Sequence, residues 1–194
     1  GTVRSATQIA YGAEIKGPVT AVDAAAGTFN VFGITVRTTT TTVYDNFGGV
    51  ATLAAGNVVE VHGQPDTNGR IVATYVEREA TSVAAFVAGD GEYRLRGAVA
   101  RLSGSSPAYA FTLRGVAIHT DFSTEFDGTT ANGVSVSVRL NPAQRGDGSY
   151  LAERLKVRTA SYDDSSSAAE GEVEGYVSGF AGAAATTLAA LAFL

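Results

Sequence analysis

His62 and His119 are the chain's two histidines, and there is no cysteine. Imidazole is the side chain best suited to proton transfer near neutral pH and to metal ligation. His62 stands beside Gly63 at the end of an alternating apolar and polar run, and His119 follows Ile118 in another. The two belong to different strands of different units, so they cannot form a multi-histidine metal site by themselves, and both read as satisfied strand histidines. Nucleophilic catalysis lacks its parts as well. No G-x-S-x-G turn occurs, and the serines concentrate in connecting segments. Without cysteine there is no thiol nucleophile, thiolate zinc or iron–sulfur site, or disulfide. The expectation is a protein that is not an enzyme, with no catalytic residues, no cofactor and no metal.

The acidic residues read as surface. Glu77 and Glu79 flank Arg78 at a strand end, Asp163 and Asp164 sit in a Ser-rich stretch, and Glu170, Glu172 and Glu174 alternate along one side of a strand. Asp66-Thr67-Asn68-Gly69 lacks the further acids and distal Glu of a calcium loop and reads as a turn. Gly89-Asp90-Gly91 has no following Lys-Ser/Thr, so it is no phosphate loop. Tyr44, Phe47, Tyr75 and Tyr109 could stack on a ligand, but no clustered Lys or Arg accompanies them. Nineteen acids face fourteen bases, for a net charge of −5 and a pI near 5.0, with no basic run. That balance argues against nucleic acid and against an anionic membrane surface. A neutral oligosaccharide held by Tyr44 and Tyr75 is the alternative that remains. Against it stands the simpler reading, that Tyr and Phe fill a small core.

The elements that carry these residues repeat. Glu14-Ile15-Lys16-Gly17-Pro18-Val19 aligns with Arg94-Leu95-Arg96-Gly97-Ala98-Val99 and again with Glu172-Val173-Glu174-Gly175-Tyr176-Val177. The shared glycines lie 80 and 78 residues apart. Gly69-Arg70-Ile71-Val72-Ala73 likewise matches Gly148-Ser149-Tyr150-Leu151-Ala152, and Glu77-Arg78-Glu79 matches Val157-Arg158-Thr159. Within a unit the period is two, which predicts half-buried strands. In the first unit these are Ile15 to Asp23, Thr28 to Phe32, Ile34 to Tyr44, Asn57 to Gly63 and Arg70 to Glu77. In the second they are Tyr93 to Leu102, Ala108 to Leu113, Val116 to Phe122, Val134 to Leu140 and Ser149 to Arg158. Turns such as Asn68-Gly69 separate them.

Five short antiparallel strands in about 65 residues bury one interior best by closing into a barrel. The fold class is therefore all-β, as tandem small five-stranded OB-like barrels with partial repeats at both ends. The expected division is 1–12 as the end of a preceding repeat, 13–81 and 93–161 as whole repeats, 82–92 and 162–170 as linkers, and 171–194 as the start of another. Val83-Ala84-Ala85-Phe86-Val87 in the first linker is apolar enough to pack on a barrel. Inward positions are Ile15, Val19, Phe29, Val31, Ile34, Val36, Val59, Val61, Ile71 and Ala73, and then Leu95, Val99, Phe111, Leu113, Val136, Val138, Tyr150 and Ala152.

The run Gly17-x-Val19-x-x-Val22-Asp23, Gly27-Thr28-Phe29-x-Val31-x-Gly33-Ile34-x-Val36, Leu53-Ala54-Ala55-Gly56-x-x-Val59-Glu60-Val61-x-Gly63 and Gly69-x-Ile71-Val72-Ala73-x-x-Val76-Glu77 resembles a bacterial repeat family known as domain of unknown function 5666. The second unit departs from it by lacking the Leu-Ala-Ala-Gly lead and by carrying Leu140-Asn141-Pro142 where a Gly follows the fourth strand. The resemblance implies OB-like barrels, often in tandem, in exported or envelope proteins, and it carries no catalytic residue across.

Absence of cysteine and richness in Thr, Ala and Gly fit an extracellular or envelope location. Gly1-Thr2-Val3-Arg4 does not read as a leader, so any export signal is expected to have been removed or to lie outside this sequence. Ala181 to Leu194 is shorter than the roughly 20 residues of a bilayer span and contains Gly182, Thr186 and Thr187, so no transmembrane span is expected. Val3 to Thr7 reads as the last strand of a unit and Glu172 to Phe180 as a first strand. Val3, Arg4 and Ala6 could pair with Val173, Gly175 and Val177 of the next molecule, giving head-to-tail self-association into a filament or surface array. A longer covalent array would supply the same pairings. The reading predicts a far-UV circular dichroism spectrum dominated by strand, and a helical spectrum would overturn it.

Overall fold

The computed structural model describes residues 14–158. Val3, Arg4, Ala6, Glu170, Glu172, Val173, Glu174, Gly175 and Val177, the acidic serine-rich stretch and the Ala-rich tail lie outside them. The first repeat comprises β1 (Ile15–Asp23), β2 (Thr28–Val31), β3 (Ile34–Arg37), β4 (Val43–Asp45), β5 (Val58–Pro65) and β6 (Ile71–Ala80). A short helix, α1 (Val83–Ala88), leads to the second repeat. There β7 (Tyr93–Ser105), β8 (Ala108–Leu113), β9 (Val116–His119), β10 (Glu125–Asp127), β11 (Ser135–Leu140) and β12 (Tyr150–Val157) follow in the same order.

Each repeat closes on itself. β1 pairs with β2, β2 with β3, β3 with β6, β6 with β5, and β5 returns to β1. The circuit β7, β8, β9, β12, β11 and back to β7 is the same. This is the five-stranded OB-like closure. It corrects the expectation of purely antiparallel strands, because β3 meets β6 in parallel (Val36 opposite Ile71) and β9 meets β12 likewise (Ile118 opposite Tyr150). A barrel of five strands in this order closes only if its third and last strands run the same way.

Two expected strands are broken. Ile34 to Tyr44 becomes β3 and β4, and Val116 to Phe122 becomes β9 followed by a loop, with β10 beyond it and Phe122 exposed. Local threonine bonding explains the break. Thr39 N–H donates to Thr42 Oγ1 at 2.8 Å, and the Thr42 hydroxyl donates to the Ala73 carbonyl at 2.7 Å. In the second repeat Asp121 N–H donates to Thr124 Oγ1 at 3.0 Å, and Thr124 donates to the Ala152 carbonyl at 2.7 Å. The chain thus turns, is pinned to β6 or β12, and resumes as a short parallel strand.

All eighteen inward positions named from the sequence are buried. Val58, Val76, Tyr93, Ile118, Leu140 and Leu155 complete the core. The fourth strand of the second repeat forms despite its departures, as β11. The first linker is not irregular: Ser82 caps α1 by accepting from Ala85 N–H at 3.1 Å, and Phe86 stacks on Tyr93 with ring centroids 5.5 Å apart. That stack keeps the alternative noted for Val83 to Val87.

The repeated Gly-x-Val entry has a steric cause. Phe32-Gly33 joins β2 to β3 with φ of 52° and 81°, and Arg114-Gly115 joins β8 to β9 with φ of 48° and 87°. Two positive φ values define the tight hairpin turn that matches strand twist. The first turn residue folds back over the first strand of its barrel. A Cβ on Gly17 would stand 2.2 Å from the Phe32 ring, and one on Gly97 would stand 3.3 Å from Arg114 Cγ.

Gly63 has a different constraint, since a Cβ there would stand 2.3 Å from the Val72 carbonyl oxygen, a backbone atom with no rotamer to give. The strand bulges at His62/Gly63. Gly63→Ala is therefore expected to destabilise the protein by about 1–3 kcal/mol, as overpacking does, read as a lowered midpoint in thermal or urea denaturation.

Candidate functional site

The two barrels are joined strand to strand. The first half of β1 has β5 on one side, while β2 pairs only from Val19 onward, so its other edge is open. That edge pairs antiparallel with the same edge of β7: Ile15 lies opposite Leu95 and Lys16 opposite Arg94, and Arg96 N–H donates to the Glu14 carbonyl at 3.0 Å. Since Ile15 and Leu95 are equivalent in the repeat, the contact is locally two-fold. The turn residues cross it in both directions. Phe32 sets its ring edge-on to Tyr93 and Tyr150 of the second repeat, with centroids 5.3 and 5.2 Å away. Arg114 reaches back, donating from Nε to the Arg96 carbonyl at 2.8 Å and from Nη2 to Glu14 Oε2 at 3.0 Å.

On the outer face of the first barrel, Lys16 bridges Glu60 and Glu79 at 2.5 and 2.6 Å, and Glu60 bonds His62 at 3.0 Å. His62 packs edge-on against Tyr75, whose hydroxyl donates to Asp45 at 2.9 Å. That bond, with some burial and the nearby Glu77, pushes the Tyr75 phenol up to about 12. His119 stands alone in the second repeat, 3.6 Å from Asp147. No group of three or more His, Asp or Glu suited to a metal occurs among the described residues.

Tyr44 and Tyr75 lie on neighbouring strands without sharing a face. Tyr44 is paired with buried Val76 and packs on Phe47, whereas Tyr75 is paired with exposed Val43. Asp66 acts as the expected turn residue, accepting from Asn68 and Arg70 N–H at 2.8 and 3.0 Å. No helix among the described residues is long and apolar enough to cross a membrane.

A feature absent from the sequence reading lies on the outer face of the second barrel. Arg94 on β7, Arg139 on β11 and Arg154 on β12 stand directly opposite one another, and Arg96, Ser137 and Lys156 form the next row. With Arg158 these residues line a concavity of about 250 Å3. Glu92 meets Arg139 at 3.3 Å, Glu125 meets Arg154 at 3.6 Å, and Asp127 lies 3.9 Å from both Arg154 and Lys156. Most of these separations exceed the 2.7–2.9 Å of a charge-assisted hydrogen bond. The chain has no basic run, yet Arg154-x-Lys156-x-Arg158 and Arg94-x-Arg96 alternate at the strand period. That was the legible signal.

Strand pairing fixes which positions correspond. Tyr44 opposite Val76 and Asp45 opposite Glu77 recur as Phe126 opposite Leu155 and Asp127 opposite Lys156. Glu77 is thus matched by Lys156, one residue earlier than the sequence blocks suggest, because Val76 and Leu155 are the inward members. The profile of the domain of unknown function DUF5666 matches the chain twice, over residues 16–77 and 96–156. The chain belongs to the DUF5666 family. No curated protein matches it. Both DUF5666 matches begin in the first strand of a barrel and end in its last, so the tandem repeat and the two closed barrels are the same units.

The Glu60 network is the most strongly perturbed ionic group of the first DUF5666 barrel. The hydrogen bond with His62 lowers the Glu60 pKa to about 2 against the opposing effect of burial, and Lys16 adds to the lowering. For Lys16, burial works against the ammonium, but the bonds to Glu60 and Glu79 outweigh it and the net shift is upward. A carboxyl whose folded pKa is depressed stabilises the fold above its unfolded pKa and loses that contribution as pH falls through the folded value. Stability is expected to decline from about pH 4.5 toward about pH 2. Glu60→Gln should flatten that decline in urea titrations across the range, and an unchanged acid limb in the variant would contradict the assignment.

Proposed function

We propose that this protein is a non-enzymatic structural repeat protein of the bacterial cell exterior or envelope, whose DUF5666 units associate by β-strand pairing and which self-assembles head-to-tail into a filament or surface array. The observation that supports this reading is the β1–β7 contact. A five-stranded barrel of this closure leaves half of its first strand with unpaired backbone donors and acceptors, and such an edge recruits another strand. Within this chain the recruited strand is the same element of a second unit. Strand addition between repeats is therefore a contact that these barrels already make.

The internal contact is locally two-fold and uses up both edges, so it closes on itself and cannot propagate. Open-ended growth requires a contact between different elements. The proposed one sets Val3, Arg4 and Ala6 of one molecule against Val173, Gly175 and Val177 of the next. Glu172-Val173-Glu174-Gly175 carries the same charged-apolar-charged-Gly pattern as the two strands that pair at the junction.

Removal of Glu170 to Leu194 tests the proposal. The intact chain is expected to form concentration-dependent polymers in light scattering and electron microscopy, and the truncated chain to remain as short particles. An intact chain that stays monomeric at high concentration, or polymers of equal length with and without the segment, would refute it.

A further inference from the structure

We infer that the cationic face of the second barrel is a binding site for a linear polyanionic glycan, a chain of sugars bearing carboxylate or sulfate groups. The internal repeat provides the control that distinguishes a functional surface from a folding requirement. Where the second barrel has Arg154, Lys156 and Arg139, the first has Tyr75, Glu77 and His62, and Ser137 replaces Glu60. The same closure forms with either set, so the fold does not require the cations. Their placement opposes the fold: like charges directly across neighbouring strands are destabilising, and Arg94, Arg139 and Arg154 form such a row, with Lys16 opposite Arg94 on the far side. In a chain of net charge −5, a row of this kind is matched when an anion lies along it.

The dimensions define the ligand class. Neighbouring strands are about 4.8 Å apart, and alternate residues along a strand about 6.7 Å apart. Three strands with two or more cations on each therefore spread charge over more than one oxyanion can meet, and the site suits several anionic groups on one chain. Stacking is unavailable, since none of the lining residues is aromatic. This disfavours single-stranded nucleic acid, which relies on base stacking beside its cationic groove. The Ser137 hydroxyl between Arg96 and Lys156 is a neutral partner for a sugar hydroxyl. A concavity of about 250 Å3 accommodates a short stretch of such a chain.

Fluorescent oligogalacturonates, carrying carboxylates, and heparin oligosaccharides, carrying sulfates, are titrated into the full chain, with neutral dextran and an oligo-dT strand as comparisons. Saturable binding to either acidic glycan is expected, weakening as salt shortens the range of the charges, with none to dextran. The glycan that binds identifies the anionic group. Arg139→Gln with Lys156→Gln should reduce the affinity at least about tenfold, as loss of two charge-assisted contacts implies. The same variant should melt no lower than the parent, because it relieves like-charge opposition. No saturable binding to either acidic glycan, unchanged affinity in the double variant, or tighter binding of oligo-dT would each overturn the inference. Polymer formation is scored separately, and the inference holds or fails whether or not the chain assembles.

Discussion

The Phe32 ring covers Gly17 so closely that any side chain there would collide with it, and Arg114 crowds Gly97 in the same way. Much of the molecule follows from this pair of contacts. The first turn residue of each hairpin must have a positive φ to reverse the chain between the second and third strands, and the bare glycine lets that residue lie down over the strand beneath. Lying there, Phe32 and Arg114 project beyond their own barrels. Phe32 meets two tyrosines of the second repeat, and Arg114 meets Glu14 beside the first. The glycine that opens each repeat thus serves both the folding of its own unit and the contact with the other.

Between the barrels, the paired edges combine an apolar centre with uneven electrostatics. Ile15 and Leu95 are fully buried opposite each other. Lys16 faces Arg94, an unfavourable pairing offset by the carboxylates of Glu60 and Glu79 on the Lys16 side. Glu14, with Arg96 at 3.9 Å and Arg114 at 3.0 Å, supplies the attractive counterpart one residue away. α1 closes the apolar part, because Phe86 covers Tyr93, which Phe32 contacts from another side. The junction is therefore a small core shared by two barrels.

The two repeats separate what the fold requires from what their surfaces can do. Inward positions keep to Val, Ile, Leu, Phe, Tyr and Ala, and the threonine that pins the crossover is present in both, at Thr42 and Thr124. Outward positions on the same strands reverse in character, with carboxylates, Tyr75 and His62 on one barrel and guanidinium groups on the other. Outward side chains do not contribute to barrel closure, so they can vary without disturbing it.

The sequence by itself determined the repeat, the strand period and the interior. Alternation of apolar residues assigns each strand an inner face, and a one-residue slip would expose all of it, so the inward positions were legible without any contact information. The glycine turns were legible because few residues tolerate positive φ. The break between β3 and β4 was not, since a threonine run has strand propensity and only the distant Ala73 carbonyl gives Thr42 its buried partner. The parallel closure and the β1–β7 pairing were decided by the tertiary structure, because an open strand edge does not encode which strand will fill it. The cationic face was decided there too. Arg94, Arg139 and Arg154 are far apart in a chain that is acidic overall, and they become neighbours only where β7, β11 and β12 come together in register.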